Sequence, residues 1–235
     1  MTTTILLFGV TGMTGRHVLA QAAELSTESY RVVCFVRNIS KIPLPLQSRV
    51  EIVQGDCCDP IAVSNCVKSI RPDVILLTTN IGFSNDLSKA VNKYLLPFIV
   101  DALTADERLA ACRMIYLSGQ GSPNPPITDN FEFTFIFWFA NIKAAVQDNN
   151  AAHNFFHSCP PELNYTVVKM GLVSEGSSSG NLAGKLCTDD MLFGSLTSIL
   201  SAKGVKFCDV ANFLLSLARR DIQHDRQYLW MEYTS

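Results

Sequence analysis

Residues 5–17 read ILLFGVTGMTGRH: an apolar run that meets three glycines, Gly9, Gly12 and Gly15, and passes into helix-forming residues. Gly9 permits a tight turn, Gly12 lets backbone approach a pyrophosphate, and Gly15 lets the helix pack closely on the strand. The helix N-terminus then offers N–H groups and the positive end of its dipole to phosphate oxygens. In this strand–turn–helix context dinucleotide binding is favoured over a merely tight turn. The candidate cofactor contacts in the turn are Gly9, Thr11, Gly12, Met13, Thr14, Gly15 and Arg16.

Outward from the turn, short runs rich in Val, Ile and Leu alternate with helical spacing. Thr4–Phe8, Arg31–Val36, Val50–Val53, Val74–Thr78, Arg113–Leu117 and Tyr165–Val168 read as strands buried on both faces. Gly15–Leu25, Ile61–Ile70, Leu87–Leu109 and Phe137–Phe156 carry helical spacing. This alternation predicts an α/β fold, a doubly wound parallel sheet of Rossmann type, over residues 1–235 as one domain. Ser118–Asn130 and Ser174–Gly184 read as flexible loops on the ligand side. The tail adds small substrate-side elements: a strand-like VKFC, Asp209 as N-cap of a helix over Val210–Ala218, and a strand at Tyr228–Glu232.

Charge excludes one class of function. The chain has 19 basic and 21 acidic residues, and no basic run exceeds Arg219-Arg220. A nucleic-acid binder needs a clustered basic footprint, so none is expected as a partner. No apolar stretch is long enough to span a bilayer, and the N-terminus lacks the basic segment of a signal peptide. The eight cysteines are scattered without zinc spacing and read as reduced, buried thiols, which makes a cytoplasmic location the expectation.

The second strand identifies the dinucleotide. An acid at its end would hold the ribose 2′-OH of NAD, but the strand runs into CFVRNISK and places Arg37 there. A guanidinium suits a 2′-phosphate, and Ser40 and Lys41 add donors, so NADP is expected over NAD. After the third strand, Asp56 either accepts the adenine amino group, with Cys57 packing on the ring, or simply forms the turn.

Together FGVTGMTG, FVRNISKIP, VQGD, NDL, NYTVVKMG and CDVANFLL resemble the atypical branch of the short-chain dehydrogenase/reductase superfamily, and most the biliverdin reductase B/flavin reductase and NmrA-like group. The resemblance runs in order over nearly the whole chain. It implies an NADP-binding sheet with a small-molecule substrate over the nicotinamide, beside the ends of strands four to six. By family position Thr78, Thr79 and Asn80 line the ribose and pyrophosphate, Met170, Gly171 and Leu172 meet the carboxamide, and Ser118 hydrogen-bonds substrate or is an ordinary loop serine.

Many members of the superfamily place Tyr and Lys one helical turn apart after strand five. FANIK supplies Lys143, which by that likeness holds the nicotinamide ribose, but Phe139 where the tyrosine would stand. Phenylalanine has no proton to give, so a tyrosine-dependent carbonyl reduction cannot run here. Three alternatives stay open. One is a reductase of planar acceptors (flavin, quinone or tetrapyrrole-like), with Phe139 and Trp138 as an aromatic wall. Another is a non-catalytic NADP-binding sensor of the NmrA-like type with a protein partner. The third is an isomerase or lyase on the same fold. His153 and His157 share a helix face, but no third ligand completes a metal site.

Overall fold

The computed structural model describes residues 2–25, 29–79, 86, 90–119, 143–170, 173–186, 204–221 and 225–233. Strand β1 is Thr3–Phe8, α1 Met13–Leu25, β2 Tyr30–Val36, α2 the single turn Leu44–Gln47, β3 Glu51–Gln54 and α3 Pro60–Ile70. They are followed by β4 Val74–Leu77, α4 Asn92–Thr104, β5 Arg113–Gly119, α5 Lys143–Ser158 and β6 Asn164–Met170. The C-terminal part holds β7 Val173–Ser174, β8 Leu182–Leu186, β9 Val205–Lys206, α6 Phe207–Ala218 and β10 Gln227–Tyr233.

Eight of the described strands form one sheet in the order β3-β2-β1-β4-β5-β6-β10-β8. Every neighbouring pair is parallel except the edge pair β10–β8. The order reverses direction between β1 and β4, the switch point at which such sheets open a crevice at their carboxyl ends.

Alternation along β1 assigns the layers. Ile5 and Leu7 face one cluster with Val18, Leu19 and Ala22 of α1 and Val210, Leu214 and Leu217 of α6. Leu6 and Phe8 face the other, with Val63 and Val67 of α3, Leu95 and Ile99 of α4 and Phe156 of α5. All four β1 residues are 0% exposed, so the strand is apolar throughout because both of its faces are covered. Each such side chain contributes about 1.5–3 kcal/mol on burial.

The sheet agrees with the sequence expectation; several boundaries do not. The helix read over Leu87–Leu109 is shorter: α4 spans Asn92–Thr104, and a separate 3₁₀ turn occupies Glu107–Leu109. Asp209 is not an N-cap, because α6 begins at Phe207 behind Lys206. Its buried carboxylate instead accepts the Ser179 N–H and the Tyr233 O–H, each at 2.9 Å, and ties the segment after β7 to β10. The stretch read as a flexible loop over Ser174–Gly184 contains the end of β7 and the start of β8.

Candidate functional site

A cleft of about 420 Å³ opens at the carboxyl ends of β1 to β4. Gly9, Thr11 and Gly12 form one wall after β1; Arg37 and Lys41 follow β2, Asp56 and Cys57 follow β3, and Thr78 and Thr79 follow β4. These sequence candidates therefore meet in one place. Val10, Phe35, Val36, Asn38 and Val91 complete the lining.

The glycine turn fits a pyrophosphate. Gly9 has φ +81°, and a Cβ there would lie 2.6 Å from the Thr78 carbonyl. At Gly15 a Cβ would lie 2.0 Å from the Gly9 oxygen, so these two glycines seat helix and strand against each other. Gly12 differs. Its nearest neighbour would be the Gly9 oxygen at 3.3 Å, which leaves the space beside it to a ligand. The Gly12 N–H closes the turn on Gly9 O at 3.0 Å, and the first helical bond runs from Arg16 N–H to Gly12 O. The amides of Met13, Thr14 and Gly15 in the first turn of α1 precede that bond, as donors at a helix N-terminus do.

At the far end of the cleft Arg37 is 78% exposed, with its Nη1 4.0 Å from Asp56 Oδ2. A pair this long and exposed holds the guanidinium weakly, which leaves it open to an anion. Asn38 accepts the Ser40 N–H at 3.0 Å and so caps the short turn that carries Lys41. Asp56 serves the turn with one oxygen, which accepts the Cys58 N–H at 2.9 Å, while the other faces Arg37. Burial pushes the Cys57 thiol up to about 12, so it lines the cleft as a small apolar group.

Other candidates are placed differently. Arg16 does not line the cleft; its guanidinium bonds Glu175, which also lies 3.3 Å from His17 Nε2. Thr78 presents main chain, because its hydroxyl donates to the Phe8 carbonyl at 3.0 Å. Ser118 is 2% exposed and lies within β5, which runs on to Gly119, so it is not a loop serine. Met170 ends β6, in register with Gly119. Lys143 is the first residue of α5. Asn80, Trp138, Phe139, Gly171, Leu172 and the Lys143 side chain lie outside what the structure describes.

His153 and His157 pack edge to face with centroids 4.4 Å apart, and both rings meet Tyr228. No group of His, Cys, Asp or Glu suited to a metal occurs among the described residues. No described helix is long and apolar enough to cross a membrane.

The sequence did not reveal Asn92, Tyr116, Asp148 and Asn149, which are buried together behind Thr79. The unbroken polar run QDNN, set between AAV and AA within one helix, was the available signal.

Comparison with known proteins agrees with this geometry. Residues 9–220 match the family described as NAD(P)H-binding. Among solved structures, the oxidoreductase ylbE from Lactococcus lactis is 20% identical with a TM-score of 0.71, covering 99% of this chain and 92% of its own. ChuY, an anaerobillin reductase from Escherichia coli O157:H7, is 19% identical with a TM-score of 0.69, over 97% of this chain and 96% of its own. A short-chain dehydrogenase/reductase from Veillonella parvula, solved in complex with NADP, is 17% identical with a TM-score of 0.69, over 100% and 96%. Likenesses at these identities establish the fold.

Proposed function

The chain belongs to the NAD(P)H-binding family, and on that premise we propose that it is an NADP(H)-dependent reductase of a small planar or conjugated acceptor. The observation that carries the cofactor choice is Arg37 beside Lys41 at the end of the cleft, where an NAD enzyme would hold an acid. The fold neighbour named as an anaerobillin reductase supports reduction as the chemistry.

The Gly12 side of the turn and the first amides of α1 hold the pyrophosphate, and Arg37 and Lys41 hold the 2′-phosphate. Asp56 and Cys57 border the adenine. Lys143, at the head of α5, orients the nicotinamide ribose, and the sequence assigns Phe139 to the acceptor. Bound NADPH supplies a hydride, and a conjugated acceptor collects its proton from solvent. A tyrosine acid is therefore dispensable, in keeping with Phe139 at that position.

The absence of a proton donor at Phe139 also favours a rival function, a non-catalytic NADP sensor that presents its cofactor state to a protein partner. Turnover separates the two. NADPH oxidation is expected with flavins, quinones or linear tetrapyrroles, slowed by Lys143→Ala and changed no more than a few-fold by Phe139→Tyr. Tight NADP binding with no turnover of any acceptor in the panel would leave the sensor standing and remove the reductase.

A further inference from the structure

A buried polar chain joins α4 to α5 behind the cleft. Val91, at the N-cap position of α4, supplies no side-chain cap. Asp148 of α5 takes that place from across the interface. Its Oδ1 accepts the Asn92 N–H at 3.0 Å, its Oδ2 accepts Asn92 Nδ2 at 2.6 Å, and the Lys93 N–H donates to it as well. Asn92 Nδ2 also donates to the Tyr116 oxygen at 3.1 Å, and the Tyr116 O–H passes on to Asn149 Oδ1 at 3.0 Å. That leaves Asn92 Oδ1 as the acceptor for the hydroxyl of Thr79, a residue of the cleft wall.

Donor and acceptor types fix the direction of this chain. An ionised carboxylate only accepts, so it takes both Asn92 donors and holds the amide with Oδ1 toward Thr79. A protonated carboxyl turns one oxygen into a donor that faces an N–H. The amide must then drop a bond or turn over, and turning it over makes the Thr79 oxygen accept from NH₂ where its hydroxyl had donated, so the Thr79 O–H loses Asn92 Oδ1 as its acceptor. Asn92 is 0% and Asp148 2% exposed, so water does not reach in to repair the mismatch.

We propose, on the reading of the cleft as a cofactor site, that Asp148 is a positioning residue: its ionised carboxylate fixes the Asn92 amide and through it the Thr79 hydroxyl, linking cofactor affinity to the proton on Asp148. Burial pushes the Asp148 carboxyl up to about 6, against the pull of the Asn92 and Lys93 amides and the Lys93 charge. Tyr116 of β5 and Cys58 of the β3–α3 loop also face this charge, and burial raises both of their pKa values. Asp148 is thus the group of this cluster that changes charge between pH 5 and 8. Because folding raises its pKa, the fold holds the proton tightly: that stabilisation is present at low pH and is lost as pH rises through about 6. Above that pH the carboxylate is ionised and Thr79 is held.

Two measurements test the assignment. In calorimetry with NADP, lowering the pH from 8 to 5 should weaken binding to the wild type about five- to tenfold more than binding to Asp148→Asn. Titration of the 2′-phosphate and of His17 is common to both proteins and cancels in the ratio. Equal ratios in two folded proteins overturn the proposal. The second measurement needs no cofactor. Thr79→Val should lower the melting temperature clearly at pH 8 and much less at pH 5, with Thr79→Ser restoring the wild-type profile. A Thr79→Val loss that is the same at both pH values overturns the link. If the wild type binds no NADP at pH 8, the cofactor reading fails, and the melting series still decides what Asp148 does.

Discussion

Gly15→Val is expected to abolish folding, and Gly12→Val to abolish cofactor binding in a chain that still folds. The two glycines lie three residues apart in one motif, yet they meet different neighbours. A Cβ at Gly15 would stand 2.0 Å from the Gly9 oxygen and 2.8 Å from Val10 Cα, both of them backbone. Backbone cannot swing aside as a side chain does, so α1 would have to lift off β1 and expose Val18, Leu19 and Ala22. Overpacking and lost burial together exceed about 5 kcal/mol, comparable to the whole stability of an ordinary domain. Gly12 carries no such constraint: its closest contact would be 3.3 Å, which a shift of a few tenths of an ångström relieves. The valine methyls would then fill the space left for a pyrophosphate. Far-UV circular dichroism and calorimetry with NADP read both outcomes. A Gly15→Val protein that melts with the wild type would refute the packing described here, and normal NADP binding by Gly12→Val would move the phosphates elsewhere.

The difference between these glycines shows what a sequence can disclose. The turn was legible because all its parts are local: a buried strand, a glycine with positive φ and a helix start within a dozen residues. Arg37, Lys41 and Asp56 were legible for a related reason, since each lies within five residues of the end of a strand whose apolar run announces it. Asp209 was not. Its partners come from Ser179 and Tyr233, residues 30 and 24 positions away, and a lone Asp before an apolar helix looks like a cap whatever it bonds. Asn92 and Asp148 are 56 positions apart, and only the docking of α4 on α5 makes either one intelligible. Strand β8 was hidden because LAGKL lacks a β-branched run and is held as a strand by pairing with β10. Phe131–Phe139, the most aromatic segment of the chain, lies outside the described residues.

The site also has an electrostatic division of labour. In the proposed binding mode the pyrophosphate end relies on glycine backbone and helix amides, which carry partial charges fixed by the fold. In the same proposed mode the 2′-phosphate end relies on the exposed side chains of Arg37 and Lys41, which a single substitution can change. On that proposal cofactor class is robust to surface mutation, while the choice between NADP and NAD rests on few atoms.

Arg37→Ala is accordingly expected to remove most of the preference for NADP while leaving NAD binding close to wild type. Among the described residues the Arg37 side chain meets a single acid, Asp56, at 4.0 Å, and its carbonyl accepts Gln54 Nε2 at 3.2 Å, a bond that truncation of the side chain leaves in place. The loss therefore falls on the phosphate contact and not on the fold. A charge-assisted contact of this kind contributes about 1.5–3 kcal/mol, or roughly a 10- to 150-fold rise in the NADP dissociation constant. Asp56 adds to the effect: with Arg37 gone, its half-exposed carboxylate faces the 2′-phosphate unscreened. Lys41 still lines the cleft, so some preference for NADP survives in Arg37→Ala and should fall further in the Arg37→Ala/Lys41→Ala pair. Because these charges are exposed, the wild-type preference should also shrink as salt rises from 0.05 to 0.5 M, roughly the range over which the Debye length falls from above 10 Å toward 4 Å. Calorimetric titration of both dinucleotides into wild type and variants measures every one of these quantities. Equal affinities of the wild type for NAD and NADP at low salt would show that Arg37 does not read the 2′-phosphate, and the cofactor assignment would fall back to NAD(P)H without preference.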